Sequence, residues 1–432
     1  MFRYEPRRRD RRMNLCAGLL FSWLLPTLGA EALTPPRWTL PEAIESAFTH
    51  SPVLQARHAA LTEVQSGLLG AKTYPFNPEL VLEVADRSSP GGSTTDRGLS
   101  LSQELELSGQ RRKRIAVANE EVAAAGADLL RSKRLLAFRV ESAFAEAVRS
   151  RELLSVAETD AALARDVLGF SKRRLEQGAA TQIEVNLAQA SAGRAERSVQ
   201  RERAAYASAR SALAELAGTD PASPPEPVGD LAFPESEVPT LEELLEGAVT
   251  NRGDLGAIGR QEQAAEAAIR LALAERRLNL IVGGFLQREE ATDDIFGATV
   301  GISLPLFNRN QGRIAESRAI RERLRYERNA LHLTVQQEVV TALNNLRAAR
   351  DAAEYLRDQV LGTLEENVDL LQRSFAAGRI GATEVVTLRR EFVASRREYV
   401  EALADAWLAR VELDLATGRF TPPQTPTGKD LP

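Results

Sequence analysis

Gln110-Arg111-Arg112-Lys113-Arg114-Ile115-Ala116-Val117 opens a run that reaches Gln177 with no proline and only two glycines, Gly126 and Gly169. Small and apolar residues recur along it at helical spacing. Val122, Leu129, Leu136 and Ala143 lie seven apart; after a four-residue step, Ala147, Leu154, Ala161, Leu168 and Leu175 resume the count. A seven-residue repeat is the seam of a helix packed on other helices, and the four-residue step is a stutter that locally relaxes the supercoil. At 1.5 Å per residue the run predicts a helix about 100 Å long. Gly178-Ala179-Ala180-Thr181 then turns the chain, and Gln182 to Leu216 predicts the returning helix. A hairpin of this length does not belong to an ordinary compact enzyme, and its reach is itself a functional feature.

The pattern occurs twice. Thr39-Leu40-Pro41-Glu42-Ala43-Ile44-Glu45-Ser46-Ala47 aligns with Thr240-Leu241-Glu242-Glu243-Leu244-Leu245-Glu246-Gly247-Ala248, offset by 201 positions. The same offset sets Leu99-Ser100-Leu101-Ser102 on Val300-Gly301-Ile302-Ser303, Gln110 on Gln311 and Arg112 on Arg313. Near the far turn the offset is 200, where Gly178, Glu184 and Val185 meet Gly378, Glu384 and Val385. A period of about 200 residues is far longer than a solenoid repeat and marks two tandem copies of one large unit. The copies span residues 33–217 and 240–420. Between them, 218–239 has prolines at 221, 224, 225, 227, 234 and 239 and reads as an extended linker. The tail, 421–432, reads as disordered. Within the first copy, Ser51-Pro52 predicts a break between two shorter helices.

Each copy carries two alternating runs ahead of its long helix. In the first, Leu80, Leu82 and Val84 alternate with Val81, Glu83 and Ala85; then Leu99, Leu101, Leu105 and Leu107 alternate with Ser100, Ser102, Glu104 and Glu106. In the second, Leu278, Leu280 and Val282 are followed by Phe296, Ala298, Val300, Ile302, Leu304 and Leu306, alternating with Gly297, Thr299, Gly301 and Ser303. Period two predicts strands with one apolar face and one polar or small face. Such runs fit a tilted strand of a membrane β-barrel, and equally two ordinary hairpins capping a helical bundle.

The first residues have the form of a secretory leader. Arg3, Arg7, Arg8, Arg9, Arg11 and Arg12 precede an apolar stretch from Leu15 to Leu28, and Ala30-Glu31-Ala32 fits a cleavage signal, giving a signal peptide at 1–32. The stretch is too short to span a bilayer. Cys16, Met1 and Met13 all lie within it, so the remainder has no thiol, disulfide or thioether. The chain carries a net charge of −5, and −8 without the leader, which argues against a nucleic-acid partner. His50, His58 and His332 are scattered. There is no Cys/His cluster, no H-E-x-x-H and no phosphate-binding glycine loop. Neither a catalytic group nor a cofactor is expected, and any metal carried would meet only carboxylates and isolated imidazoles.

At the joints between strands and long helices the residues become familiar. Ser102-Gln103-Glu104-Leu105-Glu106-Leu107-Ser108-Gly109-Gln110-Arg111-Arg112 resembles the joint after the second strand in TolC-like outer-membrane efflux factors. Leu304-Pro305-Leu306-Phe307-Asn308-Arg309-Asn310-Gln311-Gly312-Arg313 is similar to their proline-containing joint after the fourth strand. The pair most resembles the cobalt–zinc–cadmium branch. The resemblance implies a mainly α fold with a small β part, built as a duplicated unit of long helical hairpins plus β-hairpins. It further implies a homotrimer whose helices form an α-barrel across the periplasm, topped by a twelve-stranded β-barrel in outer-membrane lipid. The implied partners are a periplasmic membrane-fusion adaptor and an inner-membrane proton-driven pump, and the implied cargo is divalent heavy-metal cations, with drugs or other small organic molecules as the alternative. Physically, four strands cannot close a barrel, and an open edge in lipid leaves backbone groups unpaired.

Site residues follow from the same resemblance. Ser100, Ser102, Glu104, Thr299 and Ser303 line the pore. Gly178, Thr181, Gly378 and Gly381 form the periplasmic tips that dock the adaptor, although glycine at a helix stop needs no function beyond closing the helix. Glu184 and Glu384 narrow the periplasmic aperture, against the plain reading of helix-start carboxylates favoured by the helix dipole. The family's basic residue at the second turn falls on Ile380, with the arginine displaced to Arg379. Two rivals of other classes are a periplasmic coiled-coil adaptor, which would not repeat a whole unit, and a secreted hydrolase, which would need a nucleophile and base.

Overall fold

The computed structural model describes residues 36–90, 92–231, 238–290, 292–361, 370, 373–375, 377 and 379–419. The leader at 1–32, the tail at 421–432, residues 232–237 of the linker and Gly378 lie outside them. A two-residue strand β1 (Arg37–Trp38) leads into α1 (Leu40–His50) and α2 (Pro52–Lys72), then strands β2 (Glu79–Ser89) and β3 (Gly92–Leu105). The long hairpin follows as α3 (Gln110–Glu176) and α4 (Gln182–Leu216). After β4 (Glu226–Pro227) the order repeats: α5 (Leu241–Asn251), α6 (Gly253–Glu275), β5 (Leu280–Glu289), β6 (Asp293–Ile302) and α7 (Gln311–Tyr355). A π-helical stretch, Leu356–Leu361, continues α7, and α8 (Ala382–Thr417) returns.

The duplication is visible in how the elements begin and end. Thr39, Thr181 and Thr240 each start a helix as half of a capping box: the threonine N–H donates to the carboxylate of Glu42, Glu184 or Glu243 three residues on, at 2.7, 3.1 and 2.9 Å. Gln110 and Gln311 do matching work at α3 and α7, each accepting from the backbone N–H two residues earlier, at 2.9 and 2.7 Å. The residues before them, Gly109 and Asn310, are both left-handed. Gly218 and Gly418 close α4 and α8 at φ 73° and 66°. A Cβ would meet the His50 carbonyl carbon at 2.7 Å in the first case and that of Asn251 at 2.9 Å in the second. Each short helix thus ends against the glycine that closes its copy's last helix.

Two apolar clusters mirror each other at the mid-height of the bundle. One joins Ile44, Ala47 and Leu54 to Ala137, Val140, Phe144 and Val148 of α3. The other joins Leu244, Ala248 and Leu255 to Val339, Leu343 and Leu346 of α7 and Leu413 of α8. Toward the tips α3 and α4 meet through Ala157, Ala161, Ala164, Ala192 and Ala195, small residues that let the helix backbones approach closely. The described part of the linker, 218–231, is tied down. Glu226 and Pro227 pair with Arg37 and Trp38, while Arg210 donates to the Pro225 carbonyl at 2.9 Å and Arg151 to that of Pro227 at 3.0 Å.

At the joints to the long helices the strands stop short of the alternation, while at the hairpin ends β2, β3 and β6 run past it. Pairing stops at Leu105 and Ile302 and begins at Leu280, which leaves Leu107, Leu278, Ser303, Leu304 and Leu306 in the joints. Pro305 has no N–H for a ladder, and Glu106 is turned into an ion pair with Arg114.

Candidate functional site

The four longer strands form one antiparallel sheet in the order β2-β3-β5-β6. Its register sorts every side chain onto one of two faces. Glu79–Ser102–Gly283–Thr299 is one row, Val81–Ser100–Phe285–Gly297 the next, and Glu83–Gly98–Gln287–Ile295 the next. The opposite face carries Leu80–Leu101–Gly284–Ala298 and Leu82–Leu99–Leu286–Phe296, with Val282–Val300 and Leu280–Ile302 below. Leu82, Leu286, Phe296 and Val300 are 61–82% exposed in the single chain. A contiguous apolar face of this kind marks contact with lipid or another protein. β2 and β6 are open edges.

The register therefore puts Ser100, Ser102, Glu104 and Thr299 on one face, and it corrects Ser303, which lies past the last paired residue of β6. Glu104 is also bonded: Asn279 donates to its carboxylate at 2.7 Å and receives a bond from Gln110 at 2.8 Å, fastening the sheet to α3. Leu280 and Val282 predicted a strand, but its residues on the polar face, Gly283, Phe285 and Gln287, were not assigned from the sequence, because Leu280-Ile281-Val282 is apolar on both faces. Phe285 lies over Gly297, where a Cβ would come within 2.5 Å of the ring. The polar face carries Glu79, Glu83, Asp96, Glu104, Glu289 and Asp293, against Arg87 as its one base within the paired strands. Arg87 holds Asp96 and Glu289, both at 3.0 Å, and so clasps the ends of the two hairpins together.

At the other extremity, Gly178 (φ 68°) closes α3. The Ala179 N–H donates to the Arg174 carbonyl at 2.8 Å and that of Gly178 to Leu175 at 2.9 Å, the paired bonds of a Schellman stop. Glu184 is fixed by Thr181, whose hydroxyl also accepts from the Glu184 N–H at 3.3 Å. In the second copy the Gly381 N–H donates to Glu384 at 2.9 Å, but glycine has no hydroxyl to complete the exchange. Glu384 is exposed and Glu184 half-buried. Both carboxylates thus hold a helix start. Arg379 is exposed, and among the described residues no hydrogen bond or ion pair joins it to Glu184. Ile380 instead packs with Val167, Phe170, Phe375 and Val385, in a cluster that joins the two hairpins just behind the tips; the Phe170 and Phe375 rings are 4.7 Å apart.

Behind that cluster lies a polar connection between the hairpins that the sequence reading missed. Arg389 of α8 is 6% exposed. It donates to the Ser191 hydroxyl of α4 at 2.6 Å and the Asp160 carbonyl of α3 at 3.0 Å, and lies 3.2 Å from the Asp160 carboxylate. Burial pulls the guanidinium below its ordinary pKa against the pull of Asp160, with Arg390 and Arg194 adding to the lowering. Burial likewise pushes Asp160 up, with Arg389 opposing. Two turns farther, Arg397 of α8 reaches Glu202 of α4 at 2.9 Å, where Arg201 also bonds it at 2.8 Å. Burial pushes the Glu202 carboxyl up, but the two arginines together outweigh it and hold it below the usual range. The available signal was positional: Arg389 stands three and four residues after Val386 and Val385, on the buried stripe of its helix.

Among the described residues no three His, Cys, Asp or Glu side chains gather into a metal site, and no helix is long and apolar enough to cross a membrane. The model of the family described as outer membrane efflux protein matches residues 43–219 and 244–419, both copies of the repeat. The chain belongs to that family. Its members are outer-membrane channels reaching into the periplasm, the exit components of tripartite efflux systems, and not enzymes. Among curated relatives, the chain is 26% identical to the cobalt-zinc-cadmium resistance protein CzcC of Cupriavidus metallidurans, over 92% of this chain and 93% of that one. It is 22% identical to the outer membrane efflux protein BepC of Brucella suis, over 89% and 86%. Among solved structures, the outer-membrane channel OprN superposes with a TM-score of 0.73 at 17% identity, covering 88% of this chain and 89% of that one, a likeness of fold. This outer-membrane protein thus carries a four-stranded sheet with one apolar and one polar face.

Proposed function

We propose that the chain works as a homotrimer, closing its open β2 and β6 edges against neighbouring copies into a twelve-stranded barrel, and that it releases divalent metal cations. The acidic inner face carries this reading: Glu79, Glu83, Glu104 and Asp293 share it with Arg87, which is already committed to Asp96 and Glu289. Rings of carboxylates favour cations in a pore, and weak, repeated sites let them leave. The similarity to a cobalt-zinc-cadmium resistance protein points the same way. Ser100, Ser102 and Thr299 line the lumen between the acids. Gly178, Thr181, Gly378 and Gly381 shape the tips that receive a membrane-fusion adaptor, itself coupled to a proton-driven inner-membrane pump. Glu184 and Glu384 guard the aperture: each accepts one backbone bond, which leaves its charge able to act on the mouth.

The test is complementation. A strain lacking the outer-membrane component of a metal exporter, but retaining its adaptor and pump, receives this gene. Restored zinc or cobalt tolerance with lowered cell metal content supports the reading. Restored efflux of an organic dye with unchanged metal content refutes the cargo and leaves the duct.

A further inference from the structure

The two copies differ at their strand-to-helix joints. In the first, Glu106 is paired with Arg114, its second oxygen accepting from Nη2 at 3.2 Å. At the same offset the second copy has Phe307 and Ala315, so that pair has no counterpart. Phe307 is 92% exposed and the adjoining Leu306 62%. Three further positions change from Pro75, Ser108 and Val117 to Arg276, Arg309 and Arg318. Among the described residues none of these arginines has a carboxylate partner, whereas neighbouring Arg313 is held by Glu275 at 3.2 Å. The Arg309 Nε donates only to the Leu306 carbonyl, at 3.3 Å. The three arginines, Leu306, Phe307 and Leu273 line an open groove of about 550 Å³ that contains no acidic side chain.

The depth of this groove follows from the sheet. The outward apolar rows on β6 run from Phe296 to Ile302, about 20 Å along the strand at ~3.3 Å per residue. A tilt of about 35–45° reduces that to roughly 15 Å, short of the ~25 Å apolar band of a membrane barrel. Leu304, Leu306 and Phe307, all exposed, carry apolar surface beyond the strand end. The joint therefore sits at the periplasmic edge of the hydrocarbon, where guanidinium groups meet lipid phosphates.

We infer that this groove holds one anionic phospholipid of the periplasmic leaflet, its phosphate on Arg276, Arg309 and Arg318 and an acyl chain along Leu306 and Phe307. Guanidinium offers forked donors to phosphate oxygens, and unpaired arginines need not break an ion pair to bind. In the first copy Glu106 would repel the same headgroup, so each protomer has a single site. The inference rests on the outer-membrane placement of the sheet and not on the cargo.

Native mass spectrometry of the delipidated full-length protein in detergent tests it, with dioleoylphosphatidylglycerol and dioleoylphosphatidylcholine as probes. The expected result is one phosphatidylglycerol per protomer, retained about tenfold more strongly than phosphatidylcholine, an affinity difference of ~1.4 kcal/mol. R276Q/R309Q/R318Q should abolish the preference, F307A should weaken both lipids, and R313Q should change neither. Equal retention of the two lipids, or an unchanged preference in the triple variant, overturns the inference. So does a triple variant that loses its oligomer while R309Q alone keeps the full preference, since the arginines would then join copies of the chain. Single-channel conductance of the same samples reports on the duct separately.

Discussion

Arg389 occupies a core position of α8, and its guanidinium is held by groups from two other helices. Removing one partner of a buried pair leaves the other charge uncompensated, at a cost of about 3–5 kcal/mol, whereas replacing both can be near neutral. Arg389→Met should therefore lower the unfolding midpoint in detergent, and Asp160→Asn combined with Arg389→Met should recover most of the loss; equal midpoints for wild type and the single variant would contradict the assignment. Glu202 supplies a pH dependence. Its folded pKa is depressed, so its stabilisation is fully present above its unfolded value of about 4.3 and is lost as pH falls through the lower folded value. Glu202→Gln should remove that part of the acid-side loss, read as a flatter stability profile below about pH 4.3. At the tip, the carboxylate bond to the Gly381 N–H separates two roles for Glu384. Glu384→Gln keeps an acceptor for the helix start and loses only charge, while Glu384→Ala also loses the carboxylate bond to the Gly381 N–H. Reduced cation selectivity in both variants, with lowered stability only in the alanine variant, is the expected outcome. Unchanged selectivity in both would make Glu384 a helix-start residue alone.

At the level of elements, the sheet faces set the assembly phenotype. Leu101→Arg and Ile302→Arg place a guanidinium against lipid, costing roughly 2–4 kcal/mol near the midplane, and should block outer-membrane assembly. Ser102→Arg, one residue away on the polar face, should assemble and narrow the conductance. Heat-resistant oligomer in membrane fractions measures this, and equal assembly of all three would refute the face assignment. The long helices were legible in the sequence because seven-residue spacing and turn glycines are local: α3 was expected at 110–177 and occupies Gln110–Glu176, and α4 runs from Gln182 to Leu216 as expected. The faces of β3 and β6 were equally legible from alternation. The ends of those strands were not, since alternation continues through Leu107, Leu304 and Leu306 while pairing is stopped by Pro305 and by the Glu106–Arg114 pair. Nor was the clasp at Arg389, because three helices far apart in sequence must converge before a polar residue on an apolar stripe acquires partners.

On the scale of the whole molecule, an isolated chain has two unpaired strand edges and an apolar sheet face open to its surroundings. In lipid, unpaired backbone groups cost several kcal/mol each, so the protein should run as a trimer in mild detergent, and a stable monomer with intact strand content would count against the barrel. In the proposed trimer three copies would bring their acidic inner faces around one axis, and Glu184 and Glu384 would add charge at the far mouth. These fields weaken as the Debye length falls from ~30 Å at 0.01 M salt to ~3 Å at 1 M. The most direct measurement is the reversal potential of the purified full-length protein in a planar bilayer under a potassium chloride gradient. Cation selectivity that is strong at low salt and fades toward 1 M is the predicted result; an anion-selective pore, or protein that inserts without conducting, would contradict it.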